Sequence, residues 1–243
     1  MCSDKDIRMS VTLVIPFFNR RDFIKEKYLE LLKFSDMENL ETIFVNDGSN
    51  QEFNFLVNHK NITVVNLEKN LGVQKARNIG LQQAKKEFII FFDSDDQLCL
   101  NTLIANIHQF RSNFGYCTPK ISYEDGTLRN SRFSFVPKFS MSPVPTSFLA
   151  FNRLFLLRRG IKFDETLTSC QDDDIFLTCK RHSYPVKYKF SWGFFYNHNE
   201  PRITNAKNYR SGRDALLKKH RYLNKNIITK LETCIYFSSA NDK

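Results

Sequence analysis

Residues 87–96, reading EFIIFFDSDD, carry the densest chemistry in the chain. Five large apolar residues, Phe88 to Phe92, run without a break into Asp93, Ser94, Asp95 and Asp96. Such a run predicts a strand buried on both faces inside a mostly parallel sheet. Open α/β sheets bind ligands beyond the carboxyl ends of their strands, so these acids stand where a ligand would sit. Carboxylates crowded at one strand end repel each other unless a cation or a polyhydroxyl ligand compensates them. An isolated Asp-x-Asp is more often a plain acidic turn, but features at the other strand ends point the same way.

A second acidic group, Asp172, Asp173 and Asp174, opens a helical stretch over residues 172–182. Residues i, i+3, i+4 and i+7 share a helix face. Asp172 lies with Ile175, Phe176 and Cys179, the expected inward side, so its carboxylate is expected to look into a cleft. Asp174 lies with Thr178 and Arg181 and is expected to face solvent; Asp173 is intermediate. Acids in a first turn also complement the helix macrodipole, which is role enough for at least one of the three.

The elements that must position these acids follow from periodicity. Strands are expected at 11–15, stopped by Pro16, and at 42–45, 62–67 and 88–92, with helices at 22–34, 73–85 and 98–110. Strands separated by helices imply βαβ units with right-handed crossovers and a parallel sheet. Residues 121–135 read as a hairpin around Glu124-Asp125-Gly126, and 136–145 as a proline-broken loop. A strand over 186–196 and a basic amphipathic helix over 215–235 complete the pattern. That last helix sets Leu216, Leu217, Leu223, Ile227, Ile228, Leu231 and Ile235 among Lys218, Lys219, Arg221, Lys225 and Lys230.

The 243 residues carry a net charge of +10. Residues 201–243 hold ten Lys/Arg against three acids, so that segment is expected to meet an anionic partner. Nucleic acid is a poor candidate, because phosphate backbones avoid clustered carboxylates. No apolar run approaches the roughly 20 residues of a membrane span, and no secretory leader is evident, so a cytoplasmic location is expected. The 6 cysteines lack metal-ligand spacing and read as reduced thiols.

Taken in order, VTLVIPFFNR, FVNDGSN, NLGVQKARNIGLQQAKKEFIIFFDSDD, GIKFDE and QDDDIFLTCKR resemble the successive motifs of family 2 glycosyltransferases with the GT-A fold, over residues 11–204. The resemblance implies an α/β, GT-A-like fold: a mostly parallel central sheet flanked by helices, with a small antiparallel addition and the C-terminal basic helix. Residues 1–110 would form the nucleotide-binding half, 111–204 the acceptor-binding and catalytic half, and 205–243 the tail. It further implies inverting transfer of a sugar from a nucleotide-diphosphate sugar, a UDP-sugar for choice, to a hydroxyl of a glycan or glycolipid acceptor. Surface polysaccharide or lipooligosaccharide synthesis is the expected setting, with peripheral contact at the inner face of an anionic membrane through the tail.

Residue by residue, the loop holding Pro16, Phe17 and Asn19 would touch the nucleotide through its backbone. Asp47 resembles the nucleobase-binding acid, able to accept from N3–H of uracil, although Asp47-Gly48-Ser49 also suits a turn and helix cap. Gly72, Ala76, Arg77 and Asn78 resemble the family's G-x-x-x-A-R-N signature. Gly72 would admit the donor closely, and Arg77 would reach phosphate or, the favoured option, clamp the acidic loop. Asp93 would bond ribose hydroxyls, and Asp95 would ligate Mn²⁺ or Mg²⁺ on the diphosphate. His198 would be a second metal ligand, though a lone His is more often structural, and Arg202 would approach the diphosphate. Asp172 is the preferred general base and Asp173 the alternative; the family usually shows Glu-Asp where this chain has Gln171-Asp172. A sugar-phosphate nucleotidyltransferase is the competing enzyme, but its Gly-rich basic first loop is replaced here by Pro16-Phe17-Phe18-Asn19.

Overall fold

The computed structural model describes residues 9–130, 144–197 and 206–221. The first half folds as β1 (Val11–Phe17), α1 (Arg21–Leu32), β2 (Leu40–Asn46), β3 (Ile62–Asn66), α2 (Val73–Gln83) and β4 (Phe88–Phe91). β1 pairs in parallel with β2 and β4, and β2 with β3. Every residue of β1 and β4 is buried, Thr12 included, as expected of strands in the middle of a sheet covered on both faces. β1 does not stop at Pro16 as expected. Its register with β4 ends at Val14, so Pro16, paired with Val45 of β2, withholds an N–H on a side that β4 no longer lines. Gly80 lets α2 lie directly on β1, since a Cβ there would stand 2.2 Å from Val14 Cγ1.

The chain then forms β5 (Gln97–Leu98), α3 (Leu100–Asn106), a 3₁₀ turn (Ile107–Gln109) and β6 (Phe114–Tyr116). The helix expected over 98–110 is thus shorter, because Leu98 is drawn into a strand pair with Gly193. β7 (Lys120–Tyr123) and β8 (Leu128–Asn130) are the expected hairpin, turned by Gly126 at φ 79°. Its remainder, and residues 131–143 as a whole, lie outside the described residues. Next come β9 (Leu149–Asn152), α4 (Arg153–Arg158), α5 (Gln171–Lys180), β10 (Val186–Lys187), β11 (Gly193–Asn197) and α6 (Ala206–Lys219).

The main sheet has the order β10-β6-β9-β4-β1-β2-β3, and a second sheet the order β5-β11-β7-β8. β9, which periodicity missed, inserts antiparallel between β4 and β6 and is buried over Leu149–Phe151. The single strand expected over 186–196 is instead two short strands in different sheets. Between them Tyr188 and Trp192 turn inward onto Phe110, with ring centroids 5.0 and 5.5 Å away, so the apolar run is satisfied by ring packing. The C-terminal helix begins at Ala206, ahead of the expected 215, and residues 222–235 of that expectation lie outside the described residues. α6 docks on the entry to α5: Leu216 is fully buried with Cys170 and Leu177, and a Cβ at Gly212 would stand 2.2 Å from Ser169 Oγ. Among the described residues no helix is long and apolar enough to cross a membrane.

Candidate active site

The apolar run of β4 ends at Phe92, whose N–H still donates to Val14 O at 2.8 Å, and the chain turns through Asp93 to Asp96. Asp93 takes Arg77 Nη2 at 2.5 Å. Arg77, on α2, is buried and lies over the Phe163 ring at 5.1 Å. Burial opposes its charge, but Asp93, Asp172 and Asp95 outweigh burial and hold the guanidinium charged. The clamp expected of Arg77 is therefore the arrangement found.

Asp96 points the other way, into the protein. It is 4% exposed, accepts from Tyr196 N–H at 3.2 Å, and burial beside Asp93 and Asp95 pushes it up to about 8. Lys27 of α1 donates to the Asp96 carbonyl at 2.5 Å and sits 4.8 Å over the Phe92 ring. Burial lowers Lys27, against the pull of Asp96. Sequence reading passed over Lys27, although the signal was present: it lies at i+3 from Ile24, inside the buried stripe of Ile24, Tyr28 and Leu31. A cleft of about 330 Å³ opens beside Asp95, walled by Phe23, Glu26, Lys27, Phe194 and Tyr196.

The other strand ends converge on the same edge. Asp47, at the end of β2, is buried and accepts from Leu71 N–H at 2.8 Å and Gly72 N–H at 2.9 Å, one on each carboxylate oxygen. It thereby shapes the loop that Gly72, at φ 93°, leads into α2. Gly48 is forced by the same contact, since a Cβ there would stand 2.2 Å from the Lys69 backbone. After β1, Asn19 and Arg20 both adopt left-handed backbone, an uncommon pair that reverses the chain into α1. Asn19 is tied to the β2 end by its N–H to Ser49 Oγ at 2.7 Å and its Oδ1 to Asn50 N–H at 3.2 Å. Phe17 turns its ring inward against Phe53, leaving its backbone, whose carbonyl accepts from Asp47 N–H, at the loop.

α5 brings in the third group. Its N-cap Cys170 is left-handed, and Asp172 follows in the first turn. The Asp172 carboxylate accepts from the Thr146 hydroxyl. Burial raises its pKa, Arg77 counteracts that, and Asp93 adds to it. Asp172 is therefore within electrostatic reach of the clamp, as an inward-facing acid should be. Asp173 is half-buried beside it. Asp174 departs from expectation: it is 1% exposed, not solvent-facing. α6 covers the second side of α5; its last residue, Lys219, and the next one, His220, place Nζ and Nε2 each 2.8 Å from Asp174. Lys219 also reaches Asp164 at 2.8 Å, so its ammonium is paired to two acids of the protein although the residue itself stays exposed. His198 and Arg202 lie outside the described residues.

Among the described residues no three acids, histidines or cysteines converge as a protein-only metal cage. Asp93 pairs with Arg77 through Oδ1 and Asp96 is buried, while Asp95 is half-buried and lines the cleft, where a carboxylate could hold a cation. That donor set fits a hard cation held jointly by one carboxylate and the phosphates of a ligand. The described cysteines carry no disulfide, and burial pushes Cys117 up to about 12 and Cys170 to about 11, so they are inert thiols.

A mostly parallel sheet with an acid-tipped central strand, a cluster of loops at the same sheet edge and a small second sheet defines a GT-A architecture. Solved structures share it. Residues 1–349 of TarS from S. aureus match with TM-score 0.61 and 23% identity over 77% of this chain and 60% of that one. The same fragment in complex with UDP-GlcNAc matches with TM-score 0.62 and 21% identity over 86% and 67%. The sequence profile of glycosyl transferase family 2 matches residues 12–166, and the chain belongs to that family. The poly(ribitol-phosphate) beta-N-acetylglucosaminyltransferase TarS of Staphylococcus aureus is 35% identical over 187 residues, 68% of this chain and 31% of that protein. The teichoic acid poly(glycerol phosphate) polymerase of Staphylococcus epidermidis is 28% identical over 119 residues, 46% of this chain. The chain spans 16% of that polymerase's length and 31% of full-length TarS.

Proposed function

We propose that this chain is an inverting, metal-dependent glycosyltransferase of the hexosyl or N-acetylhexosaminyl type. It moves a sugar from a UDP-sugar to a hydroxyl of a surface glycan or glycolipid. The observation that carries the reading is the meeting of Asp93, Asp95 and Asp172 around buried Arg77 at the carboxyl edge of the sheet. The relatives named for teichoic-acid synthesis and the TarS complex with UDP-GlcNAc support the donor class and the kind of acceptor.

In this reading Asp47 keeps carboxylate lone pairs beyond its two backbone donors, and these accept from uracil N3–H. The Pro16–Asn19 backbone and Gly72 would line the nucleotide and Asp93 would bond the ribose; Asp95 and His198 are the residues that would hold Mn²⁺ or Mg²⁺, and Arg202 would meet the phosphates. The cation would neutralise charge on the departing nucleoside diphosphate. Asp172 takes the proton of the acceptor hydroxyl as that oxygen attacks the anomeric carbon from the face opposite the leaving group. Burial raises the Asp172 pKa and makes it a stronger base than an exposed carboxylate, while Arg77 opposes that shift and favours the ionised form. The enzyme would work at the cytoplasmic face of an anionic membrane, drawn there by Lys218, Arg221 and the cations that follow them.

Thermal shift with UDP tests the donor half. UDP should raise the melting temperature only with Mn²⁺ or Mg²⁺ present, and Asp95→Ala should abolish the gain. UDP release from a panel of UDP-sugars tests the chemistry: Asp172→Asn should lower turnover by roughly 10²–10⁴-fold with UDP binding intact. A shift that survives chelator, or an Asp172→Asn variant with full turnover, refutes the respective half.

A further inference from the structure

The segment leading into β9 touches both acidic groups of the site. Thr146 and Ser147 open a 3₁₀ turn, Thr146–Phe148, and both are fully buried. A buried hydroxyl must find a hydrogen-bond partner, and each of these finds an acid of the site. The Thr146 hydroxyl donates to Asp172 Oδ1, and the Thr146 backbone N–H supports the same carboxylate. Ser147 Oγ accepts from Asp93 N–H at 3.0 Å and bonds the Asp96 carboxylate. The Ser147 carbonyl in turn accepts from Nε1–H of fully buried Trp192 at 2.8 Å, which ties the dipeptide to the aromatic core. Arg77 closes the circuit from the far side, paired to Asp93 and facing Asp172.

We propose that Thr146 is a positioning residue for sugar transfer: it fixes the Asp172 carboxylate at a set distance from the acidic turn, which its neighbour Ser147 braces. The inference rests on the reading of Asp172 as the base. A carboxylate at a helix start is free to rotate about its own side-chain bonds. Holding Oδ1 arrests that rotation and leaves the carboxylate in one orientation for the acceptor hydroxyl. Threonine suits the task because its β-branch stiffens χ1, so the hydroxyl is aimed before any ligand arrives. A donor to the ionised carboxylate also favours that form, which the base must have before it can take a proton. Displacement of such a group by an ångström is enough to cost a large rate factor.

The test compares Thr146→Val, which keeps the shape and removes the donor, with Thr146→Ser, which keeps the donor. Protein labelled with ¹³C at aspartate carboxyls is titrated by NMR, with the Asp172 signal assigned by its loss in Asp172→Asn. Asp172 should titrate at higher pH in Thr146→Val than in the natural chain, and at an unchanged pH in Thr146→Ser. UDP affinity should stay unchanged in both. With a UDP-sugar that is turned over, kcat of Thr146→Val should fall about tenfold with donor KM unchanged, and its acid limb should move up with the NMR titration. Thr146→Ala, which adds no bulk, should repeat the shift and replaces Thr146→Val if that variant does not fold. An Asp172 titration in Thr146→Val or Thr146→Ala that matches the natural chain overturns the positioning role. Full turnover in Asp172→Asn overturns the base reading instead, so the two failures are distinguishable.

Discussion

Replacing Arg77 with methionine keeps a long side chain on α2 and removes the charge that three acids share. The Arg77 side chain is 5% exposed and that of Asp93 32%, so the pair is buried on one side only. Removing one partner of a fully buried pair costs about 3–5 kcal/mol. Water at Asp93 screens part of the charge left behind, which lowers the expected cost to about 2–3 kcal/mol. For a chain of this size that is a fall in melting temperature of roughly 4–12 °C, read by calorimetry at neutral pH. A second effect has a definite sign. Arg77 holds the Asp172 pKa down against burial, so in Arg77→Met the protonated acid persists to higher pH. The acid limb of the pH–rate profile should therefore move upward, because the base must be ionised to act. Arg77→Lys, which keeps charge but loses the planar fork and its stacking on Phe163, should fall between. A variant that melts within about 1 °C of the natural chain and keeps its acid limb would refute the clamp.

Asp174→Asn should destabilise by about 1.5–3 kcal/mol, because the buried carboxylate receives both Lys219 and His220; chemical denaturation reads it, and a neutral result would mean α6 does not dock as described. Asp47→Asn puts a donor where two backbone N–H groups point, so the 71–72 loop should loosen and UDP affinity drop about tenfold by calorimetry. Lys219 and the Thr166 hydroxyl hold Asp164 down to about 2, so their contribution is full above the ordinary carboxylate range and fades as pH falls through about 2. The stability gap between Lys219→Met and the natural chain, about 1 kcal/mol near neutrality, should therefore narrow in acid; a gap that stays constant counts against the contact. Vesicles of anionic lipid should pellet the full chain in a salt-sensitive way and a chain ending at Arg221 less well, the cut being placed there because α6 is needed to pin α5. Equal pelleting of both would remove the tail from membrane contact.

The half of the fold built from local pattern was legible in the residues. Residues 88–92 announced β4 because a strand covered on both faces has nothing but apolar positions to show. The acids after it announced the ligand edge because a strand end is where a parallel sheet leaves room. Arg77 could be assigned to the clamp because its spacing from Val73 puts it near the start of α2, facing three carboxylates that need a counter-charge. The α5 acids could be ordered only in part: one helix face is visible in a periodicity, and Asp174 was misjudged because a second helix covers another. No periodicity in α5 records that α6 lies there with a lysine and a histidine.

The same limit accounts for the other departures. Residues 186–196 are apolar whether they form one strand or turn through a ring cluster, and only Phe110 on the far side decides between the two. β9 lies after a proline-rich stretch, and its strand character comes from the slot between β4 and β6 rather than from its own pattern. Thr146 and Ser147 are small hydroxyl residues of a kind found at many helix starts and turns. What sets them apart is burial between two acidic groups separated by scores of residues in the chain, and burial is a property of the packed whole. Composition, strand ends and helix faces were thus enough to find the acids and the family they resemble. Which acid is paired, which is buried and which looks into the cleft depends on desolvation and charge at a convergence of β1, β2, β4, α2, α5 and α6, and that convergence exists only in the folded chain.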